Sequence, residues 1–207
     1  MEGYNTFREG RLPRERARFE EMAENGQKPE IMVIACCDSR VSPEVIFDAR
    51  PGELFVVRNV ANLVPPYSPD GELHGTSAAL EFAVQALKVR HIVVMGHGRC
   101  GGIRAAVQES SPLTHTDFIG SWMRAIKDVT RIVPRDVGDN AETHERHIER
   151  ASIEHSLANL RTFPWIRMKE NKRDLALHGV WFDIAMGELH AYDEDEAHWS
   201  AIEGGTA

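Results

Sequence analysis

The chain has 207 residues, of which 42% are hydrophobic and 27% are charged, a composition typical of a soluble globular domain and not of disordered or collagen-like proteins. No apolar run approaches the ~20 residues of a membrane-spanning helix, and the first residues lack the apolar segment of a secretory signal, so we expect a cytoplasmic protein without a membrane partner. The net charge of −8 comes from the residues after Arg173, which include eight acids and no Lys or Arg, and nucleic acid is therefore not an expected partner.

The first segment predicts a helical arm. Residues 6–25 are rich in Arg and Glu, contain Pro13, and have widely spaced apolar residues. This pattern predicts one or two short helices with a weak apolar stripe. We expect one domain over residues 1–207, in which residues 1–26 form an arm that lies on another subunit.

Three short apolar runs, separated by a helical pattern, predict strands of a parallel sheet. The runs cover residues 31–35, 54–57 and 91–95, and continuous apolar runs of this length are typical of strands buried on both faces. Apolar residues at helical spacing predict a helix over 76–88. Strand, helix and strand in alternation indicate an α/β fold with a mostly parallel central sheet flanked by helices.

The second half of the chain predicts the remaining elements of this fold. Further helices are expected over 103–109, about 115–130 and 140–160. Residues 175–177 and 180–184 predict a late strand, which a turn near Met186 follows. We therefore expect helical and antiparallel elements at the C-terminal edge of the sheet.

Cys36, His97 and Cys100 form a candidate metal site. Each follows or closes a predicted strand, at the end of a parallel sheet where ligands bind. His97 and Cys100 form a His-x-x-Cys pair on a glycine-rich turn, and Cys36 meets them if the two strands are adjacent. Two thiolates and one imidazole favour zinc, and three protein ligands with one open position are typical of a catalytic zinc site.

Two charged residues close to Cys36 support the prediction of a catalytic zinc site. Asp38 and Arg40 follow Cys36 directly, where a carboxylate can reach the open metal position and a guanidinium can hold that carboxylate in a bidentate pair. Cys37 alternates away from Cys36 in an extended strand, so we expect it to pack in the core.

At these motifs the sequence resembles the β-class carbonic anhydrases. The matching elements are Cys36-x-Asp38-x-Arg40, His97-x-x-Cys100 with Gly101 and Gly102, and the segment 51–66 between them. The resemblance implies one Zn²⁺ per chain on the two cysteines and the histidine, and a catalytic dyad of Asp38 and Arg40. It also implies a homodimer, or a tetramer made of two dimers, with active sites at the subunit interface.

The resemblance further implies a substrate pocket, parts of which face the metal of the neighbouring subunit. The pocket positions are matched by Gln27, Phe55, Val60, Phe82, Gly101 and Gly102. Phe82 stands where plant-like members carry a Tyr, so one hydroxyl group is absent. Val33 and Phe182 stand where the bicarbonate-inhibited subgroup carries a Trp and a Tyr. The chain is therefore similar to the plant-like subgroup with an open zinc position, in which water is the fourth ligand near neutral pH.

The expected reaction is the zinc-dependent, reversible hydration of CO2 to bicarbonate and a proton, a lyase reaction that proceeds through zinc-bound hydroxide. Asp38 would accept a hydrogen bond from the hydroxide, and Arg40 would keep Asp38 ionised. Three alternatives remain open. The same site could hydrolyse carbonyl sulfide or carbon disulfide, the chain could be a catalytically dead zinc-stabilised binding protein, or Cys36 and Cys37 could serve a thiol-redox reaction.

Overall fold

The central element of the computed structural model, which describes residues 1–107, 118–135, 138 and 140–203, is a sheet of six strands in the order β2-β1-β3-β4-β5-β6. The strands are β1 (Ile31–Cys36), β2 (Leu54–Asn59), β3 (His91–His97), β4 (Ala176–Asp183), β5 (Glu188–Asp193) and β6 (His198–Ala201). Neighbouring strands from β2 to β4 pair in parallel, whereas β5 and β6 form an antiparallel edge. The predicted α/β fold, with a mostly parallel sheet and an antiparallel C-terminal edge, is confirmed.

The helices flank this sheet. The α-helices of the described residues are α1 (Glu2–Thr6), α2 (Leu12–Asn25), α3 (Pro43–Ile46), α4 (Gly75–Glu81), α5 (Gly101–Val107), α6 (Phe118–Met123), α7 (Lys127–Ile132), α8 (Ala141–Leu160) and α9 (Pro164–Asn171). The helix predicted over 76–88 consists of α4 and a π-helical turn, Phe82–Leu87. The helices predicted over 103–109 and 115–130 lie partly outside the described residues, at 108–117. None of the described helices is long and apolar enough to cross a membrane.

The helices of the predicted arm start earlier than residue 6. Two α-helices joined by a π-helical turn, Phe7–Arg11, run from Glu2 to Asn25, and none of these residues is buried. Pro13 lies in the first turn of α2, where a missing N–H costs no intrahelical hydrogen bond. Pro13 therefore begins the second helix and does not break it.

Helix α8 approaches the sheet closely because two strand residues in its path are glycines. A Cβ atom at Gly96 of β3 would lie 2.6 Å from Cδ1 of Ile153, and one at Gly179 of β4 would lie 3.0 Å from Cγ2 of the same side chain. Ile153 and Leu157 of α8 are fully buried in the resulting core. This contact holds α8 beside the carboxyl end of β3, where His97 lies.

We expect the substitution Gly96→Ala to destabilise the protein by about 1–3 kcal/mol, because the added methyl group overpacks a rigid contact with Ile153. Urea unfolding followed by circular dichroism measures this loss. The double variant Gly96→Ala/Ile153→Val should lose less than the sum of its single variants, since valine keeps the Cγ1 atom at 2.9 Å but lacks Cδ1, the nearer of the two clashing atoms.

Gly75→Ala is the matched control. A Cβ atom at Gly75 meets nothing within 4 Å, and this residue begins helix α4, so alanine should cause no loss of stability. Equal losses at Gly75 and Gly96 would contradict the close approach of α8.

Candidate metal centre

The structure brings the side chains of Cys36, His97 and Cys100 together. Cys36 ends β1, His97 ends the adjacent strand β3, and Cys100 lies in the turn that leads into α5. The two sulfur atoms and a ring nitrogen all lie within 4.8 Å of one another, and all three residues are buried. Among the described residues, no other group of three or more His, Cys, Asp or Glu side chains has this geometry.

The hydrogen bonding of the His97 ring leaves one nitrogen available to a metal ion. Its Nδ1 donates a hydrogen bond of 2.9 Å to the carbonyl oxygen of Gly98, which leaves Nε2 as the atom with a free electron pair. Nε2 is buried and has no hydrogen-bond partner among the described residues. Because a buried polar atom is normally paired, this orphaned nitrogen supports a bound cation at the centre of the cluster.

Interaction with the neighbouring Cys100 thiol lowers the pKa of Cys36 to about 4, and interaction with Cys36, together with burial, raises the pKa of Cys100. The backbone N–H of Ala61 also donates to Sγ of Cys36 at 3.4 Å. Burial lowers the pKa of His97, but the neighbouring Cys36 sulfur and the Gly98 carbonyl raise it, and the net shift is upward. The ionised Cys36 sulfur thus favours a positive charge beside it.

Asp38 lies beside this cluster in a bidentate pair with Arg40. Arg40 Nε donates to Oδ1 at 2.9 Å and Nη2 donates to Oδ2 at 2.6 Å, and the backbone N–H of Arg40 adds a bond of 3.0 Å to Oδ1. These hydrogen bonds hold the pKa of Asp38 well below its usual range. Oδ2 of Asp38 lies 3.9 Å from Nε2 of His97, so an ionised carboxylate borders the candidate metal position.

Sequence reasoning assigned no loop-holding role to Arg58, a cation that follows the four apolar residues of strand β2. Its Nε donates to the carbonyl oxygen of Cys36 at 2.8 Å, and its Nη2 donates to the carbonyl oxygens of Asp38 and Val41 at 2.6 and 3.2 Å. One guanidinium therefore holds the loop that carries both a candidate ligand and the candidate catalytic carboxylate. The signal in the sequence was a lone arginine at the end of an apolar run.

Within one chain, the predicted pocket residues divide into two groups. Val60 lies near the cluster, since a Cβ atom at Gly102 would be 3.0 Å from its Cγ1, and Gly101 directly follows Cys100. Phe55 packs on Phe82 with ring centroids 5.9 Å apart.

The second group, Gln27, Phe55 and Phe82, lies toward the ends of the strands away from the metal cluster. Phe55 pairs with Met32, four residues before Cys36, which corresponds to about 13 Å along the strand. Gln27 is exposed and precedes β1, at the end of that strand away from Cys36. The structure therefore does not bring Gln27, Phe55 or Phe82 to the metal cluster of their own chain.

The prediction that Cys37 packs in the core is wrong. Its side chain is exposed and lines a surface cavity of about 660 Å³ together with Val60, Phe118 and Trp122. The alternation rule fails because β1 ends at Cys36. Beyond that residue the backbone N–H of Cys37 still bonds to the carbonyl oxygen of Asn59 at 2.9 Å, but no core element covers the side chain.

Comparisons with known proteins define the class of this fold and site. A family model described as carbonic anhydrase matches residues 31–189. The chain is 33% identical to the β-carbonic anhydrase CcaA, with a TM-score of 0.90 over 99% of this chain and 91% of that chain. A tetrameric β-carbonic anhydrase of Sordaria macrospora matches with a TM-score of 0.78 and 31% identity over 100% of this chain and 96% of that chain.

This chain belongs to the β-class carbonic anhydrase family. It is 41% identical over 163 residues to β carbonic anhydrase 5, chloroplastic, of Arabidopsis thaliana, which covers 77% of this chain and 53% of that relative. It is 36% identical over 196 residues to a carbonic anhydrase of Synechocystis sp., which covers 93% of this chain and 70% of the relative. The chain thus spans about half the length of the plant relative.

We expect the purified protein to bind one zinc ion per chain and Cys36→Ser to bind none, because the serine hydroxyl does not replace a thiolate ligand. Cys37→Ser is the matched control and should keep its zinc, since this neighbouring thiol is exposed and outside the cluster. Elemental analysis after dialysis measures the ratio. Zinc loss in both variants, or in neither, would contradict this assignment.

We also expect Arg58→Met to destabilise the protein by about 2 kcal/mol, since hydrogen bonds from a charged group to three carbonyl oxygens are lost while the alkyl packing is kept. Arg50→Met removes an exposed arginine whose ion pair with Glu53 is on the surface, and should change the free energy of unfolding by less than about 0.5 kcal/mol. Urea unfolding of both variants compares them. Equal effects would contradict the loop-holding role of Arg58.

Proposed function

We propose that this chain catalyses the zinc-dependent, reversible hydration of CO2 to bicarbonate and a proton. The observation that carries the proposal is a buried Cys–His–Cys cluster with an ionised aspartate 3.9 Å from its imidazole nitrogen. Membership of the β-class carbonic anhydrase family supports the same reaction, because the relatives in Arabidopsis thaliana and Synechocystis sp. are named carbonic anhydrases.

Cys36, His97 and Cys100 would hold the zinc ion, and their two sulfurs and one nitrogen are a donor set that zinc accepts. Zinc bound there would lower the pKa of a water molecule at its fourth position and so supply a nucleophile near neutral pH. Separate hydrogen bonds hold two of these three residues. Arg58 fixes the carbonyl oxygen of Cys36, and the Gly98 carbonyl fixes the ring of His97.

Asp38 would accept a hydrogen bond from that nucleophile and so orient it toward the carbon of CO2. Arg40 occupies both carboxylate oxygens, so that Asp38 stays ionised and does not turn toward the metal ligands. This bidentate pair supports the arrangement of the plant-like subgroup, with a water molecule rather than Asp38 at the fourth position. Val60 and Gly102 supply an apolar wall for CO2 next to the cluster.

The remaining pocket residues support assembly into a homodimer or a tetramer of two dimers. Gln27, Phe55 and Phe82 lie away from their own cluster, so they act on substrate only if a neighbouring subunit presents them. Large apolar side chains are exposed near the cavity beside Cys37, with Leu73 at 101% and Phe118 at 88% of their full accessibility. Apolar exposure of this extent is typical of a surface that a partner covers.

We expect Asp38→Asn to reduce CO2 hydration by about 10²–10⁴-fold while the zinc content stays at one per chain, because the amide no longer orients the nucleophile as an anionic acceptor. Stopped-flow measurements with a pH indicator give the rate. Asp128→Asn, at a side chain that is 90% exposed, should leave the rate unchanged. Near-normal turnover in Asp38→Asn would remove Asp38 from the mechanism.

The same measurements fix the pH dependence of the wild-type enzyme. The pKa of Asp38 is lowered, so the carboxyl is fully ionised at every pH above its usual range and protonates only as the pH falls through the lowered value. The rise in activity expected from about pH 6.5 to 9 therefore reports the water molecule and not Asp38. Zinc-loaded protein without activity across this range would overturn the proposed function.

A further inference from the structure

Helix α8 presents three carboxylates along one side to the region that carries two of the three candidate ligands. They are spaced by three and four residues, which places them on a common face of the helix. The contacts are Glu142 Oε1 with Nη2 of Arg99 at 2.9 Å, Glu145 Oε2 with Nε of Arg104 at 3.0 Å, and Glu149 Oε1 with the backbone N–H of Cys100 at 2.9 Å. The last contact is the one that reaches a candidate ligand.

Glu149 differs from its neighbours in burial and in the use of its oxygens. It is only 4% exposed, whereas the side chain of Glu142 is 55% exposed. Oε1 of Glu149 accepts from Cys100, and Oε2 accepts from the indole Nε1 of Trp181 at 3.1 Å. Trp181 is itself 1% exposed, so the carboxylate is fixed on both sides inside the protein.

The turn that Glu149 contacts needs such support. Arg99, between His97 and Cys100, has φ of 58°, a left-handed conformation that a residue with a Cβ atom adopts only when its surroundings impose it. Two hydrogen bonds hold the backbone on either side of it. The N–H of Gly98 donates to the carbonyl oxygen of Phe182 at 2.9 Å, and the N–H of Cys100 donates to Glu149.

We propose that Glu149 is a positioning residue for the metal site. By holding the backbone N–H of Cys100, it keeps the Cys100 sulfur in place beside Cys36 and His97, and so sets how tightly the site binds its metal. This inference rests on the metal site of the proposed function but not on the reaction catalysed there. It assigns to a glutamate 49 residues beyond Cys100 a part in metal affinity that motif spacing does not show.

The test compares Glu149→Gln with Glu142→Gln in the full-length protein. A glutamine offers one acceptor oxygen, so either Cys100 or Trp181 then faces an N–H group. Competition with a chromophoric chelator should show zinc affinity reduced 10- to 100-fold in Glu149→Gln, the range found when a hydrogen-bond partner of a metal ligand is removed. Glu142→Gln loses only an exposed ion pair and should stay within about twofold of the wild type.

Cobalt substitution and a variant of Trp181 distinguish a positioning role of Glu149 from a general effect on stability. The absorption bands of bound Co²⁺ report ligand geometry and should shift in Glu149→Gln but not in Glu142→Gln. Trp181→Phe removes the second donor and leaves the Cys100 bond, so its metal affinity should match the wild type. In Glu149→Gln/Trp181→Phe, the glutamine oxygen is free to turn toward Cys100, and part of the lost affinity should return.

Each outcome decides the inference. Unchanged zinc affinity and an unchanged cobalt spectrum in Glu149→Gln would overturn it, as would a lower melting temperature with no change in either readout. If Glu149→Gln does not fold, Glu149→Asp takes its place, because aspartate keeps the carboxylate but is one methylene too short to hold both donors; zinc affinity and a cobalt spectrum like those of the wild type in that variant would overturn the inference. Failure of the wild type to bind zinc at all would overturn the metal site of the proposed function as well.

Discussion

The parallel pairing of β1 with β3 is the constraint on which the candidate site depends. Cys36 and His97 are 61 residues apart in the sequence, yet each ends one of these two strands. The register places Ala35 opposite Met95, so the following residues of both strands emerge side by side at a spacing of about 5 Å. The His-x-x-Cys turn alone offers two ligands, and it becomes a three-ligand site only because this pairing supplies the third.

The paired strands β1 and β3 end at the candidate metal site. The backbone groups of the loops that follow therefore need other hydrogen-bond partners. Two side chains from different elements, β2 and α8, provide these partners. Arg58 of β2 donates to three carbonyl oxygens of the loop after β1, and Glu149 of α8 accepts from an N–H group of the turn after β3. Arg58 is a donor and Glu149 an acceptor because of the backbone groups that they satisfy, since carbonyl oxygens accept and N–H groups donate.

The part of this arrangement that the sequence predicted is the part encoded locally. Continuous apolar runs predicted β1, β2 and β3, and soft ligands at two strand ends predicted the Cys36, His97 and Cys100 cluster. Glu149 was not found because its role depends on how closely α8 approaches the sheet, which Gly96 and Gly179 permit but no spacing rule reveals. The interpretation of Cys37 failed for a related reason, since alternation holds only as far as the strand continues.

The division of the pocket residues has a further consequence for the proposed enzyme. The candidate ligands, Asp38, Arg40 and the side chains that hold them all belong to one chain and are in place without a partner. Gln27, Phe55 and Phe82 lie toward the opposite end of the strands, so they reach a metal site only across a subunit interface. Metal binding is then expected of the single chain, whereas the part of the proposed pocket formed by these three residues depends on assembly. Dissociation of the subunits would therefore remove substrate contacts and leave the metal ligands intact.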